Sequence, residues 1–211
     1  MADVLLIDKP KGITSFDVIR ILRRKLGIRK MGHAGTLDPL ASGLMIIGLN
    51  KGTKKLNEYL KLPKVYEAEV LLGKKTTTGD LEGEIIESEK VDSIDIKKVK
   101  DVLNKMRGKI TLPVPLYSAI KIKGTPLYKH ARRGHDIKPP EKEMEIINIK
   151  LTNSFKLEDF YVLALTIKVS SGTYIRSIAE ELGRRMNLPA TLANLRRTKI
   201  GKFKIEDASK V

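Results

Sequence analysis

The 211-residue chain has no cysteine and no tryptophan. Disulfides, thiolate metal sites and cysteine nucleophiles are therefore excluded. Its three histidines, His33, His130 and His135, match no metal-ligand spacing. No apolar run approaches the length of a membrane span, and the first residues show no signal-sequence pattern. No membrane association and a reduced, cytoplasmic location are expected. Aromatics are only 5% of the residues, beside abundant Lys, Glu and Ile, a balance that fits a heat-adapted protein. Acids are also scarce relative to bases: 25 Asp and Glu against 41 Lys and Arg leave a net charge of +16. Such an excess points to a polyanionic partner, nucleic acid first. The charge is also segregated. Seven bases and no acid lie between Arg184 and Lys204, whereas Asp80 to Asp95 holds seven acids and one lysine. Segregation of this kind builds a binding face rather than general solubility.

The length suits one large domain or two small ones with a sizeable core. No linker, repeat or low-complexity segment is visible, so a single domain over residues 1–211 is expected. Val4 to Ile7 is predicted to be a strand, followed by a Pro-Gly turn. Thr14 or Ser15 can then cap a helix with Val18, Ile19, Leu22 and Leu26 on one stripe, stopped by Gly27. Thr53 is expected to cap a short helix ending before Pro63. Val65 to Leu72 alternates as a half-buried strand, and a helix is predicted from about Asp95 to Met106. Residues 115–134 read as a strand, a Gly124 turn and a helix with Thr125 as N-cap and Pro126 as first residue. Seven bases lie between Lys121 and Lys142, with Tyr128 among them and Tyr117 just before, as in an RNA-gripping finger of about 115–142. The same composition suits an ordinary surface hairpin. Strands at about 143–151 and 160–170, a helix after Gly172 and a strand pattern over 195–205 complete the chain. Strands outnumber helices and short links are common, so the expected class is α+β with a mixed, largely antiparallel sheet flanked by helices.

Residues 31–44, Met-Gly-His-Ala-Gly-Thr-Leu-Asp-Pro-Leu-Ala-Ser-Gly-Leu, hold three glycines and Pro39. An ordered loop with unusual backbone angles is expected there. It carries His33 and a single acid, Asp38, and it feeds the apolar run Leu44 to Leu49, predicted to be a buried strand. A glycine-tight loop running into a buried strand holds a side chain in one place. Alone, Asp38-Pro39 reads as a turn initiator. Arg176 stands in the first turn of its helix, where positive charge is unfavourable, so its purpose is sought outside the helix. Without further information Tyr66 would be core and His33 a loop side chain.

Taken together, these segments resemble the TruB family of tRNA pseudouridine synthases. The resemblance runs through Asp8-Lys9-Pro10 with Gly12, Gly32 to Gly43, Lys64-Val65-Tyr66, Thr76 to Asp80, Tyr117-Ser118-Ala119 through Arg132, Ser171 to Arg176, and Leu195 to Gly201. It implies the pseudouridine synthase fold with an inserted RNA-clamping finger. The implied activity is isomerisation of the T-loop uridine, position 55 by tRNA convention, with the T arm of tRNA as partner. In this resemblance Asp38 takes the place of the essential aspartate, Tyr66 of the tyrosine that stacks on the base and Arg176 of the arginine paired with the aspartate. Asp80 would brace that arginine, and His33 would meet the flipped-out nucleotide. Leu195 would line the pocket and Tyr174 lie beside it. Tyr117, Lys121 and Arg132 fall in the segment that clamps the T arm. Lys9 belongs to the N-terminal motif, where a structural part is expected beside substrate binding.

The reaction breaks C1′–N1, rotates the base and joins C1′ to C5, with no redox change. No cofactor and no metal are therefore expected. A carboxylate is needed near C1′, as nucleophile or as proton acceptor at the 2′ carbon, and the residues leave both routes open. Family members usually carry a C-terminal RNA-binding PUA domain, for which these 211 residues show no counterpart. A guide-dependent pseudouridylation subunit shares the aspartate motif but relies on that domain, so no guide RNA is expected. A tRNA chaperone acting by binding alone would not need Asp38, Tyr66 and Arg176 together. The charge favours a monomer.

Overall fold

The computed structural model describes residues 3–122, 124–134 and 137–211. Three residues of the expected finger, Lys123, His135 and Asp136, lie outside the described residues, and with them one of the three histidines of the metal-spacing argument. The chain forms two compact units. The first is Met1–Ala68, Thr166–Ser171 and Asn194–Val211; the second is Glu69–Leu165 and Gly172–Ala193.

The chain opens with β1 (Val4–Lys9) and α1 (Ser15–Leu26). Thr14 caps α1 in a reciprocal box: its hydroxyl accepts from the Asp17 N–H at 3.1 Å, and Asp17 accepts from the Thr14 N–H at 2.8 Å. Gly27, at φ +67°, ends the helix. Val18, Ile19 and Leu22 are buried, but Leu26, expected on the same stripe, is exposed because the last turn from Arg24 on is at the surface. Next come β2 (Met31–His33) and β3 (Ser42–Leu49), the latter buried at every residue. A 3-10 turn over Asn50–Lys55 leads into α2 (Leu56–Lys61). Thr53 does not cap α2 as expected. The tight winding places it within the 3-10 turn, where its hydroxyl donates to the Asn50 carbonyl at 2.7 Å.

β4 (Lys64–Leu72) buries Tyr66, Ala68, Val70 and Leu72, as its alternation predicts. β5 (Lys74–Thr76) and β6 (Ile85–Ser88) form a ribbon. α3 (Ile96–Lys105) follows, capped by Asp95 Oδ1, which accepts from the Lys97 and Lys98 N–H groups. After β7 (Gly108–Pro113), β8 (Lys121–Ile122) pairs with β9 (Thr125–Pro126), and α4 (Leu127–Arg132) begins directly. Thr125 and Pro126 are thus ribbon residues rather than N-cap and first helical residue, since the pairing continues through Pro126 and the Leu127 N–H is taken by the Ile120 carbonyl at 2.7 Å. β10 (Glu141–Leu157) and β11 (Phe160–Val169) run into α5 (Ile175–Met186), with Ile175, Ile178, Ala179 and Leu182 buried as expected. β12 (Ala190–Ile200) begins earlier than the predicted 195–205, and β13 (Phe203–Lys204) and β14 (Ser209–Lys210) close the chain.

Among the described residues, ten strands hydrogen-bond in one sheet, in the order β14-β1-β3-β12-β4-β11-β10-β7, with β2 on β3 and β13 on β12. β1–β14 and β3–β12 are parallel, whereas β1–β3, β2–β3, β12–β13 and β7–β10 are antiparallel. The class is therefore α+β with a mixed sheet. In the first unit Ala34, Leu44, Ile46 and Ile200 form a buried cluster joined by Leu56, Leu62 and Phe203, whose ring meets Tyr59 edge-on at 5.5 Å. In the second unit α3 packs on α5 and β10, burying Val99, Leu103 and Leu182. Among the described residues, no helix is long and apolar enough to cross a membrane.

Candidate active site

In the first unit, residues 34–41 connect β2 to β3 and carry Asp38, which is half-buried. Antiparallel pairing of His33 with Ile47 holds the upstream end of this loop, and the Ala34 N–H donates to the Ile46 carbonyl at 2.9 Å. Within the loop the Ala41 N–H returns to the Asp38 carbonyl at 3.1 Å, and the Gly12 N–H reaches the Pro39 carbonyl at 2.9 Å. Lys9 has no exposed surface. Its ammonium donates to the carbonyls of Ile13 at 2.6 Å and Pro10 at 2.9 Å, with a long contact to Pro39 at 3.5 Å. These contacts turn the Lys9 ammonium toward the two turns beside Asp38.

His33 is half-buried, and its Nδ1 has no hydrogen-bond partner among the described residues. Burial, and secondarily the charge of Arg197, push its pKa below the usual 6.5, so the ring is neutral at neutral pH. Tyr66 and Leu195 are both buried, on β4 and β12. Besides Lys9, Lys64 and Arg197 in this unit carry charge inward that pattern reading sends to solvent. Lys64 is 5% exposed and donates to the Leu60 and Leu62 carbonyls at 2.5 and 2.7 Å. Burial, and then Arg197, lower its pKa to about 8. Arg197 is 1% exposed and points the opposite way from its neighbour Arg196, which pairs with Asp8 at 2.7 and 3.1 Å.

In the second unit Arg176 is buried at the start of α5. Its two terminal nitrogens donate to the carbonyls of Thr78 at 2.8 Å and Tyr117 at 3.0 Å, and Nη1 lies 3.7 Å from Asp80 Oδ2. The acceptors that offset a cation in the first turn therefore come from two other segments. Asp80 is itself built in. Its Oδ1 accepts from the Thr78 hydroxyl at 2.6 Å and the Glu82 N–H at 3.1 Å. The preceding Gly79 carbonyl takes the Leu192 N–H at 3.0 Å, and the Thr76 hydroxyl donates to the Asp80 carbonyl at 2.6 Å. The structure thus brings together Arg176, Asp80 and the Tyr117 backbone. Thr78 was missed as an individual contributor, although it lies within the Thr76–Asp80 segment; nothing in a single threonine marks it as the brace of an acid.

Tyr174 precedes α5, with its N–H on the Met144 sulfur at 3.5 Å and its ring 5.7 Å from the Lys142 ammonium. Lys142 is held by the Gly172 carbonyl at 2.8 Å. Lys121 and Arg132 are exposed on β8 and at the end of α4, where the Arg132 guanidinium lies 5.6 Å from the Tyr128 ring. A separate cleft of about 460 Å³ is lined by Lys75, Glu180, Glu181, Arg184 and Pro189, and by none of the expected site residues. Burial raises the Glu180 pKa there, whereas the hydrogen bond from Arg184 lowers that of Glu181. Among the described residues no three His, Asp or Glu side chains converge as a metal site.

Residues 23–175 match the family model described as TruB family pseudouridylate synthase (N terminal domain). The chain is 38% identical over 214 residues to tRNA pseudouridine synthase B of Thermobifida fusca, covering 99% of this chain and 73% of that protein. The protein of the same name from Opitutus terrae is 41% identical over 206 residues, covering 97% and 83%. Among solved structures, the Cbf5-Nop10-Gar1 complex contains a chain that superposes with a TM-score of 0.74 at 26% identity. The archaeal box H/ACA sRNP Nop10-Cbf5 complex gives 0.69 at 25%. This chain is covered to 99% and 98% in those two superpositions and spans about half of each solved chain, 52% and 50%. By sequence and by fold, the chain belongs to the TruB family of pseudouridylate synthases.

Proposed function

We propose that this protein converts the T-loop uridine of tRNA, position 55, to pseudouridine. One observation carries this reading: relatives named tRNA pseudouridine synthase B align along almost the whole chain, at 38% and 41% identity. The chemistry assigned to each residue follows from what the reaction demands. A target uridine must leave the RNA stack, at a cost of a few kcal/mol that protein contacts replace. Tyr66 offers a ring for the extruded base, Leu195 an apolar wall, and the neutral His33 a flat side chain that adds no charge beside the RNA.

Asp38 supplies the carboxylate that C1′–N1 cleavage needs, either by attack at C1′ or by taking the 2′ proton. Arg176 is the guanidinium assigned to keep that carboxylate ionised, and Asp80 and Thr78 hold the arginine's segment. The base then turns and re-attaches through C5, and the proton at C5 is lost. Tyr117, Tyr174, Lys121 and Arg132 are assigned to the T arm, whose phosphates attract a chain of net charge +16. The enzyme is proposed to act as a monomer in the cytoplasm, without guide RNA.

The test is to incubate the chain alone with a T-arm stem-loop and measure pseudouridine. Conversion at a single uridine is expected, abolished in Asp38→Asn with RNA binding kept within about 3-fold, since removing one carboxylate charge leaves the phosphate contacts intact. Activity that appears only with a guide RNA and partner proteins would support the guide-dependent alternative instead.

A further inference from the structure

Arg197 and Ser15 are buried polar side chains for which the proposed reaction has no direct use. Arg197 is 1% exposed, yet among the described residues its guanidinium makes no ion pair. Its Nε donates to the Leu44 carbonyl at 2.8 Å, one terminal nitrogen to the Gly35 carbonyl at 3.0 Å, and the other, at a long 3.5 Å, to the Thr36 carbonyl. These acceptors bracket Asp38: Gly35 and Thr36 lie within the loop just before it, and Leu44 lies on β3 just after the loop ends. From α1, Ser15 seizes the residue next to Asp38. Its hydroxyl donates to the Leu37 carbonyl at 3.0 Å and accepts from the Leu37 N–H at 2.8 Å.

A buried cation without a counter-ion is costly, and here backbone carbonyls rather than a carboxylate offset that cost. What only the guanidinium offers is a rigid planar fork able to fix three carbonyls at once. The backbone is shaped to let it in. Arg197 is in parallel register with Gly43, whose φ is +109° and where a Cβ would stand 2.6 Å from the Arg197 nitrogen and closer still to its carbonyl oxygen. We infer that Arg197 and Ser15 are positioning residues, which clamp the 34–41 loop from β12 and from α1 and thereby fix where the Asp38 carboxylate points. This rests on the reading that Asp38 does the chemistry. Both side chains are too buried to meet RNA, so they act on the turnover step rather than on affinity.

The experiment compares Arg197→Lys and Ser15→Ala with the wild type in single-turnover conversion of a T-arm stem-loop, alongside RNA affinity and thermal unfolding. Arg197→Lys keeps the charge and loses the fork; its turnover falls by about 10- to 100-fold, the scale of a small misplacement of a reacting group. Ser15→Ala loses turnover in the same direction, and RNA affinity stays within about 3-fold in both because no phosphate contact is removed. His33, whose pKa feels the Arg197 charge, keeps its low value by NMR in Arg197→Lys and rises in Arg197→Met. Should Arg197→Lys fail to fold, Ser15→Ala decides alone. Wild-type turnover in a folded variant, or a loss of affinity as large as the loss of turnover, overturns the inference. Asp38→Asn is run in parallel: if it stays active the reading of Asp38 fails, whereas an inactive Asp38→Asn beside fully active clamp variants defeats only the clamp.

Discussion

Replacing Arg176 by lysine keeps a cation beside Asp80 but removes the two-pronged donor. In the native protein separate terminal nitrogens serve two carbonyls from distant segments, Thr78 at 2.8 Å and Tyr117 at 3.0 Å. One ammonium on an unbranched chain serves one of them well, leaving the other buried and short of a donor at about 1–3 kcal/mol. Arg176 and Asp80 are 6% and 3% exposed, so water cannot step in. For a chain of this length the loss lowers Tm by roughly 2–12 °C. Turnover falls further, by about 100-fold, because the Tyr117 segment is no longer tied to the start of α5 and a shift of about 1 Å is enough. Arg176→Met is more severe, at about 3–5 kcal/mol, because it leaves the Asp80 carboxylate buried without its cation. Calorimetric unfolding and pseudouridine yield from a T-arm stem-loop measure both effects. An Arg176→Lys protein with unchanged Tm and turnover within about 3-fold of the wild type would refute the reasoning, as the fork would then be irrelevant.

Lys64 gives a pH signature. Its pKa is lowered in the fold to about 8, so between pH 8 and its unfolded value the unfolded chain binds the extra proton. Stability attributable to Lys64 therefore rises with pH across that window and is flat below it; urea titrations of wild type and Lys64→Met should differ in slope only there. Gly43→Ala meets both a left-handed φ and the Arg197 backbone, whereas Gly124→Ala, at φ +80°, has nothing within 4 Å. The second should cost about 1–2 kcal/mol from the backbone alone and the first clearly more, read as Tm or as loss of folded protein. The logarithm of the affinity for a T-arm stem-loop should fall linearly with log salt, with a slope of about 0.7–0.9 per phosphate neutralised, and a flat dependence would remove the charge argument.

Periodicity and punctuation made much of the fold legible. The capped helix at 15–26, the buried run after the Asp38 loop and the alternation of Tyr66, Ala68, Val70 and Leu72 are local consequences of side-chain spacing. Errors arose where a tertiary partner overrode a local signal. Thr125-Pro126 looks like a helix start, but pairing with Lys121-Ile122 claims it first. Thr53 looks like a cap, but the chain winds into a 3-10 turn around it. The candidate site residues are named by a resemblance, and the pairing of Arg176 with Asp80 comes about where Thr76–Asp80 and α5 meet.

What the sequence determined by itself is where most of the longer strands and helices lie, where the glycines force the loop that carries Asp38, and that the chain is strongly basic. It does not say which bases face water. Arg196 and Arg197 are adjacent and chemically identical, yet one reaches out to Asp8 and the other is sealed inside on carbonyls of Gly35 and Leu44. Lys9 and Lys64 are turned inward in the same way. A cation is stable in the interior only where several backbone oxygens converge on it, and here those oxygens belong to other elements. Only folding, by laying β12 beside β3 and bringing the turns around Pro10 and Pro39 together, decided that these charges hold the protein's own backbone.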